Sequence, residues 1–359
     1  MIKSNEKVKQ FAGNAGIETP ESWNGPLPPF SETSDQELDE EPIRPWAECL
    51  KTGMCSSEEL AGIDVAPPEP ILGDWLRAGD LGFIYSQRGI GKTWLAPDVA
   101  HGIAEKKDVG PWPIYQQLKC FYLDGEMPPG DIKKRDHALG KASKNLVYLN
   151  HEILFDRTGR SMDLADKDFQ RAVLSTCVSQ GFRVLFLDNL SCLASGVDEN
   201  KAIDWELLLP WLLQLRRAHI TVIFIAHAGR NNQMRGHSKR EDPAFWIIRL
   251  DAPLDMPEGT VGAQFITRFT KWRSAVKKPP SYQWNYTPAG NNNEDVCVEF
   301  KTANAIDIFR QLVESGVESA THIADEMDVS IAYVSRLATR GKKEGWLDIT
   351  NRKYRIANT

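Results

Sequence analysis

Between residues 81 and 250, short unbroken apolar runs alternate with helical stretches, and this alternation constrains the fold more than any other feature. LGFIYS (81–86), CFYLD (120–124), LVYLN (146–150), VLFLD (184–188), TVIFIAH (221–227) and FWIIRL (245–250) read as strands. Helical stretches lie at 92–105 and at about 131–142, 165–179 and 203–218. Apolar strands separated by helices form a parallel sheet covered on both faces. From Gly262 to Phe300, segments punctuated by Gly and Pro replace the helices, so the sheet is expected to finish in antiparallel edge strands. The expected fold is α/β with a mostly parallel sheet.

The segment Ser86-Gln87-Arg88-Gly89-Ile90-Gly91-Lys92-Thr93 lies directly between a strand and a helix. This is the spacing of a phosphate-binding P-loop, with Ser86 in place of the first glycine. In such a loop, successive backbone N–H groups and the helix N-terminus hold phosphate oxygens. Lys92 is expected to reach the β- and γ-phosphates, and the Thr93 hydroxyl to bind Mg²⁺. Trp94 completes the candidate nucleotide contacts. Pro97 falls inside the following helix, where it removes a backbone donor and opposes the carbonyl of Thr93. A bend or an early end to that helix is expected.

Two acids extend the set. Asp188 ends the run VLFLD, at an edge where a carboxylate can hold the water shell of Mg²⁺. Glu126 follows CFYLDG, and a carboxylate there can polarise the water that attacks a γ-phosphate. Asp124 competes for that role. His227 ends the next strand, where it can sense the γ-phosphate, although a strand-end histidine can also be purely structural.

Ser86 to Thr93, LDGE (123–126), LFLDN (185–189), IAH (225–227) followed by Arg235-Gly-His-Ser, and FTKWR (269–273) together resemble the RecA-like ATPases. Within them the chain resembles the plasmid RepA type of hexameric replicative helicase, with DnaB helicases and KaiC-like ATPases more distant. The resemblance covers about residues 68–300. It implies that Glu126 activates water, that His227 is the strand-end sensor, and that Lys271 and Arg273 enter the neighbouring subunit's site. Arg235 is the second candidate finger. An arginine supplied across a subunit boundary makes catalysis depend on assembly, through a rate effect of roughly 10³–10⁵. The implied cofactors are ATP and Mg²⁺, and the implied assembly is a homo-oligomeric ring, expected to be a hexamer.

Residues 228–243 form a long polar loop after a sheet strand and carry Arg230, Lys239 and Arg240 beside Arg235. Such a loop can follow a single-stranded DNA backbone by charge; it lacks the aromatic residues of a stacking platform. After residue 302 the pattern is helical again, at 305–316, 321–328 and 330–345, and it ends in a two-stranded ribbon. That order is the winged helix-turn-helix pattern, with Ala324, Val329 and Val334 packing its helices. Tyr333, Arg336, Arg340 and Lys343 recur at helical spacing along the third helix. Residues 336–359 hold seven Lys/Arg against two acids. Duplex DNA is the candidate partner there, and a protein contact is the alternative.

Residues 1–66 hold five Lys/Arg against 13 acids, whereas the whole chain of 359 residues is only −6. An acidic arm therefore precedes a near-neutral body, and self-repulsion favours a solvated, mostly disordered state. The expected division is an arm and linker at 1–67, an ATPase domain at 68–302 and a winged helix at 303–359. No window approaches the roughly 18 apolar residues of a membrane span, and the first ten residues lack an apolar signal core. Six cysteines without a CxxC pair argue against a zinc ribbon or disulfide scaffold, so a cytoplasmic setting is expected. The expected activity is that of a DNA-acting ring ATPase, a replicative helicase of a plasmid, phage or mobile element. The alternative is a KaiC-like or regulatory nucleotide switch that binds DNA without motor activity.

Overall fold

The computed structural model describes residues 45–140, 142–194, 202–229, 242–253, 262–273, 278–289, 295–327 and 329–357. The chain divides into two compact units, Met1–Glu69 and Pro70–Thr359. The described part of the first holds two short helices, α1 (Trp46–Gly53) and α2 (Ser57–Gly62). Two short helices without buried residues thus lie within the stretch read as arm and linker. The signals are local: the Ser56 side chain accepts from Glu59 N–H while the Glu59 carboxylate accepts from Ser56 N–H. Such a capping box starts a helix too short to show a sustained period.

The second unit opens with a small antiparallel pair, β1 (Pro70–Leu72) and β2 (Leu76–Arg77). The main sheet follows. Its strands in chain order are β3 (Leu81–Ser86), β4 (Lys119–Asp124), β5 (Leu146–Asn150), β6 (Phe182–Asp188), β7 (Thr221–His227), β8 (Trp246–Asp251), β9 (Ala263–Trp272), β10 (Tyr282–Ala289) and β11 (Asp295–Thr302). They lie in the order β11-β10-β9-β8-β3-β7-β6-β4-β5. The six strands from β8 to β5 are parallel, and β9, β10 and β11 extend the sheet antiparallel beyond β8.

Alternate residues of these strands serve opposite faces. On one face Ile84, Tyr122, Phe186 and Ile223 share an apolar cluster with Leu95, Val99 and Ile103 of α3 (Lys92–Glu105). On the other, Phe83 and Phe224 meet Trp205 of α8 (Ala202–Arg217) at 5.9 and 5.5 Å between ring centroids. The intervening helices are α4 (Pro129–Leu139), α5 (His151–Thr158), α6 (Lys167–Gln180) and α7 (Leu190–Leu193).

Helix α3 runs through Pro97 for 14 residues, which corrects the expectation of an early end. Leu95, Ala96, Val99, Ala100, Ile103 and Ala104 are all buried along it. A fully buried large apolar side chain contributes about 1.5–3 kcal/mol, so their sum exceeds the roughly 3 kcal/mol cost of an interior proline.

The C-terminal elements are α9 (Ala305–Glu314), α10 (Ala320–Met327), α11 (Ile331–Lys343), β12 (Leu347–Thr350) and β13 (Lys353–Ile356). They enclose an apolar cluster of their own, including Phe309, Leu312, Ile323, Val334 and Leu337. Asn351 and Arg352 join the two strands, with φ of 54° and 63° at the pair of positions that a type I′ hairpin turn holds left-handed. No helix among the described residues is long and apolar enough to cross a membrane.

Candidate phosphate-binding site

Parallel strands deliver their C-terminal residues to one edge of the sheet. Ser86 pairs in register with His227, and Asp124 with Asp188. At that edge the loop after β3 folds around its own lysine. Lys92 Nζ donates to Ser86 O at 3.2 Å, Ser86 Oγ at 3.0 Å and Gln87 O at 3.1 Å. Burial holds the Lys92 ammonium down at about 8, with Arg88 adding repulsion and Asp188 and Glu126 opposing both. Gln87, Arg88 and Gly89 are exposed, and Ile90 is half-buried. Gly89 and Gly91 have φ of 79° and 135°, a region that glycine enters without steric cost. At Gly91 a Cβ would also stand 2.4 Å from the Phe265 ring, so β9 supports the loop from behind. That support is invisible in the loop's own sequence.

The acids divide by environment. Asp188 is buried and accepts from Tyr122 Oη at 2.7 Å. Burial first, and then the charges of Asp124 and Glu126, push its carboxyl up to about 7. Asp124 is raised to about 6, chiefly by burial. Its Oδ1 accepts from Glu126 N–H at 3.0 Å and Met127 N–H at 2.7 Å, so it closes the turn that carries Glu126. Glu126 is 40% exposed at its side chain, and its carboxyl is held below the usual range by His227 first, against its burial, and then by Asn189 and Lys92. Of the two acids that compete in sequence, Glu126 is the one aimed at open space.

Glu126 Oε2 accepts from Asn189 Nδ2, which also lies 3.1 Å from His227 Nε2. The direct distance from His227 Nε2 to Glu126 Oε2 is 3.5 Å, so the amide is the shorter link. Sequence reasoning missed Asn189 as well as Phe265. Asn189 stands beside Asp188 in LFLDN, but it reaches Glu126 in the turn beyond β4 and His227 at the end of β7.

Thr93 is half-buried and lines one small cleft with Asp188, Asp124, Tyr122 and Pro97; a water-sized sphere has about 10 Å³ of room there. Trp94 is half-buried between Tyr286 and Arg135, whose guanidinium lies 5.8 Å from its ring centroid. No cluster of three or more His, Cys, Asp or Glu side chains among the described residues forms a metal site. One or two carboxylates with substrate phosphates and water is the usual Mg²⁺ arrangement, and it needs no such cluster.

The remaining candidates lie elsewhere. Lys271 is half-buried near the end of β9, and Arg273 is exposed just beyond it, with its N–H donating to Phe245 O at 3.0 Å. Arg230, Arg235, Lys239 and Arg240 lie outside the described residues. Arg336 and Lys343 are exposed on α11, with Arg336 5.3 Å from the Tyr333 ring centroid. Arg340 is paired with Glu344 at 2.7 Å, and Glu318 holds both Lys353 and Arg355 at 2.7 Å.

The sequence matches a family model described as an AAA domain over residues 49–233. Among solved structures, a KaiC-like protein from the hyperthermophilic archaeon Pyrococcus horikoshii OT3 is 14% identical; the match covers 63% of this chain and 91% of that one, with a TM-score of 0.44. The flagellar accessory protein FlaH from Methanocaldococcus jannaschii is also 14% identical, over 62% of this chain and 90% of its own, with a TM-score of 0.40. No curated protein matches the sequence.

Proposed function

This chain belongs to the AAA domain family, and from that premise we propose that it is a ring-forming ATPase acting on DNA, a replicative helicase of a plasmid, phage or other mobile element. The observation that carries the ATPase reading is the convergence of Lys92, Asp188, Glu126 and His227 at the C-terminal ends of four neighbouring strands and the loop after β3. A caged ammonium, a buried strand-end acid and a part-exposed carboxylate tied to a histidine are the parts that phosphoryl transfer to water needs.

In this reading the loop's N–H groups and Lys92 receive the β- and γ-phosphates. The phosphate oxygens replace the carbonyls that now occupy Nζ. Thr93 and Asp188 would hold Mg²⁺. The fit rests on the paired acids Asp124 and Asp188: burial raises both, the charge of Asp124 raises Asp188 further, and a cation beside them would relieve that repulsion. When bound, Mg²⁺ supplies charge neutralisation between the phosphates. Glu126 takes a proton from the attacking water, and His227 lies within reach of the same carboxylate.

Residues 303–359 read as a winged helix, supported by their three helices and ribbon. Tyr333, Arg336, Arg340 and Lys343 then contact duplex DNA, and Arg230, Lys239 and Arg240 track a single strand in the ring channel. Lys271 and Arg273 act in the neighbouring subunit, with Arg235 as the second candidate. The domain limits proposed are 1–67, 68–302 and 303–359.

Turnover and binding separate the roles. Lys92→Ala should abolish ATP binding, whereas Glu126→Gln should bind ATP and lose turnover, because a water-polarising group matters chiefly in the transition state. Mixing Lys92→Ala with Arg273→Ala protein tests the ring. Some interfaces then combine an intact loop from one variant with an intact finger from the other, so activity should return. Mixed oligomers without activity would exclude Arg273 and move the test to Arg235→Ala. A monomer in the presence of ATP and DNA would end the ring reading.

A further inference from the structure

We propose that Asn189 is a positioning residue of this site, holding the Glu126 carboxylate in place and tying it to His227. The inference rests on the reading of Glu126 as the group that polarises water. Asn189 begins α7, where its Oδ1 accepts from Cys192 N–H at 3.1 Å. That contact orients the amide: a flipped side chain would turn its NH₂ toward the Cys192 donor and its oxygen toward a carboxylate. With Oδ1 on Cys192, Nδ2 has two hydrogens and no lone pair to offer. Its neighbours are Glu126 Oε2 and His227 Nε2 at 3.1 Å, so both accept.

Two consequences follow. In the neutral ring His227 Nε2 accepts from the amide and the proton sits on Nδ1, a buried atom with no hydrogen-bond partner among the described residues, whereas a protonated ring lends its charge to Glu126. Glu126 Oε2 is committed to the amide, which leaves Oε1 for a water. One side chain at the end of β6 therefore sets the aim of an acid after β4 and the tautomer of a histidine at the end of β7. The amide is also the shorter bridge, because His227 Nε2 stands 3.5 Å from Glu126 Oε2.

A purely structural role makes a different prediction. If Asn189 only caps α7, Asp is as good a cap as Asn, and Asn189→Asp leaves kcat close to the wild type whatever the buried charge costs in Tm. If Asn189 holds Glu126, the same substitution retains the cap but turns a donor into a carboxylate facing a carboxylate. The experiment uses the full chain and measures kcat at saturating ATP, Kd for a fluorescent ATP analogue and Tm, for Asn189→Asp, Asn189→Ala and Glu126→Gln. Asn189→Asp should change Kd by no more than about 2-fold and lower kcat by about 100-fold, the scale of removing one preorganised donor. Asn189→Ala should lower kcat less, because water can enter the space, and should lower Tm through the lost cap.

Wild-type turnover in Asn189→Asp, with Glu126→Gln inactive, would overturn this inference alone. Parallel losses of Tm and ATP affinity in both Asn189 variants would also overturn it, in favour of a structural cap. Turnover retained by Glu126→Gln would remove the reading of Glu126, and the role of Asn189 with it.

Discussion

Gly89 and Gly91 stand two residues apart in one loop but answer to different constraints. Among the described residues Gly89 has no neighbour within 4 Å of where a Cβ would stand, so its φ of 79° is what resists substitution. Gly91 adds a contact of 2.4 Å with Phe265. Gly89→Ala should therefore cost about 1–2 kcal/mol, and Gly91→Ala a further 1–3 kcal/mol or so from overpacking. Thermal melts with a nucleotide titration check the order, and Gly91→Ala should lose the greater part of its ATP affinity. Asp80 supplies a pH test at the opposite end of β3. Burial raises it to about 7, against the N–H donated by Arg77 at 3.0 Å. The native state then keeps a proton that the unfolded chain releases near pH 4. The stabilisation is complete below that value and is lost as pH rises through about 7. Asp80→Asn should gain Tm relative to the wild type between pH 5 and pH 8, and a constant difference would exclude the shift. The left-handed glycines and the place of Lys92 at the end of the loop were legible from residue type and spacing, because a loop of this kind is a local object. The clash at Gly91 was not, because Phe265 lies 174 residues further on.

At the scale of elements, α3 shows burial overriding propensity. Pro97 cannot donate to the carbonyl of Thr93, yet the helix continues to Glu105. Pro97→Ala restores that bond and should raise Tm, by up to about 3 kcal/mol in stability if the ring contributes nothing else. A lower Tm would mean that the ring's packing in the cleft with Tyr122 and Asp136 outweighs the bond. ATP affinity measured on the same variant reports whether the free Thr93 carbonyl matters to the neighbouring hydroxyl. Helix α5 shows the converse, local chemistry without a long pattern. Asn150 Oδ1 accepts from Glu152 and Ile153 N–H, and an eight-residue helix follows β5 without the repeat that reveals the longer ones.

At the scale of the whole second unit, a buried charge cluster joins the sheet to the C-terminal helices. Asp251 receives Arg249 Nε at 2.7 Å on one oxygen and Arg268 Nε at 2.8 Å on the other. Two guanidinium groups against one carboxylate leave a buried positive charge, and Glu326 of α10 approaches Arg268 at 3.4 Å. Glu326→Ala should cost about 1–3 kcal/mol, the range for a hydrogen bond to a charged group. Asp251→Asn should cost more, about 3–5 kcal/mol, because it leaves both arginines without their buried partner. Tm measured for both variants checks the order, and equal losses would contradict this account of the cluster.

The sequence by itself determined the alternation of strands and helices, the parallel character of the sheet's centre, the glycine loop between β3 and α3, and the acids Glu126 beyond β4 and Asp188 at the end of β6. Each is written in a local period or spacing, and the backbone's hydrogen-bonding needs translate those into elements with little choice. The tertiary structure decided what depends on strand order. It placed β7 between β3 and β6, which brought His227 to Asn189 and Glu126. It laid β9 behind the loop and set Glu326 against Arg268. These contacts join residues far apart in the chain and have no period to betray them. They exist because a sheet has one order of lowest free energy, fixed by the packing of all its faces together.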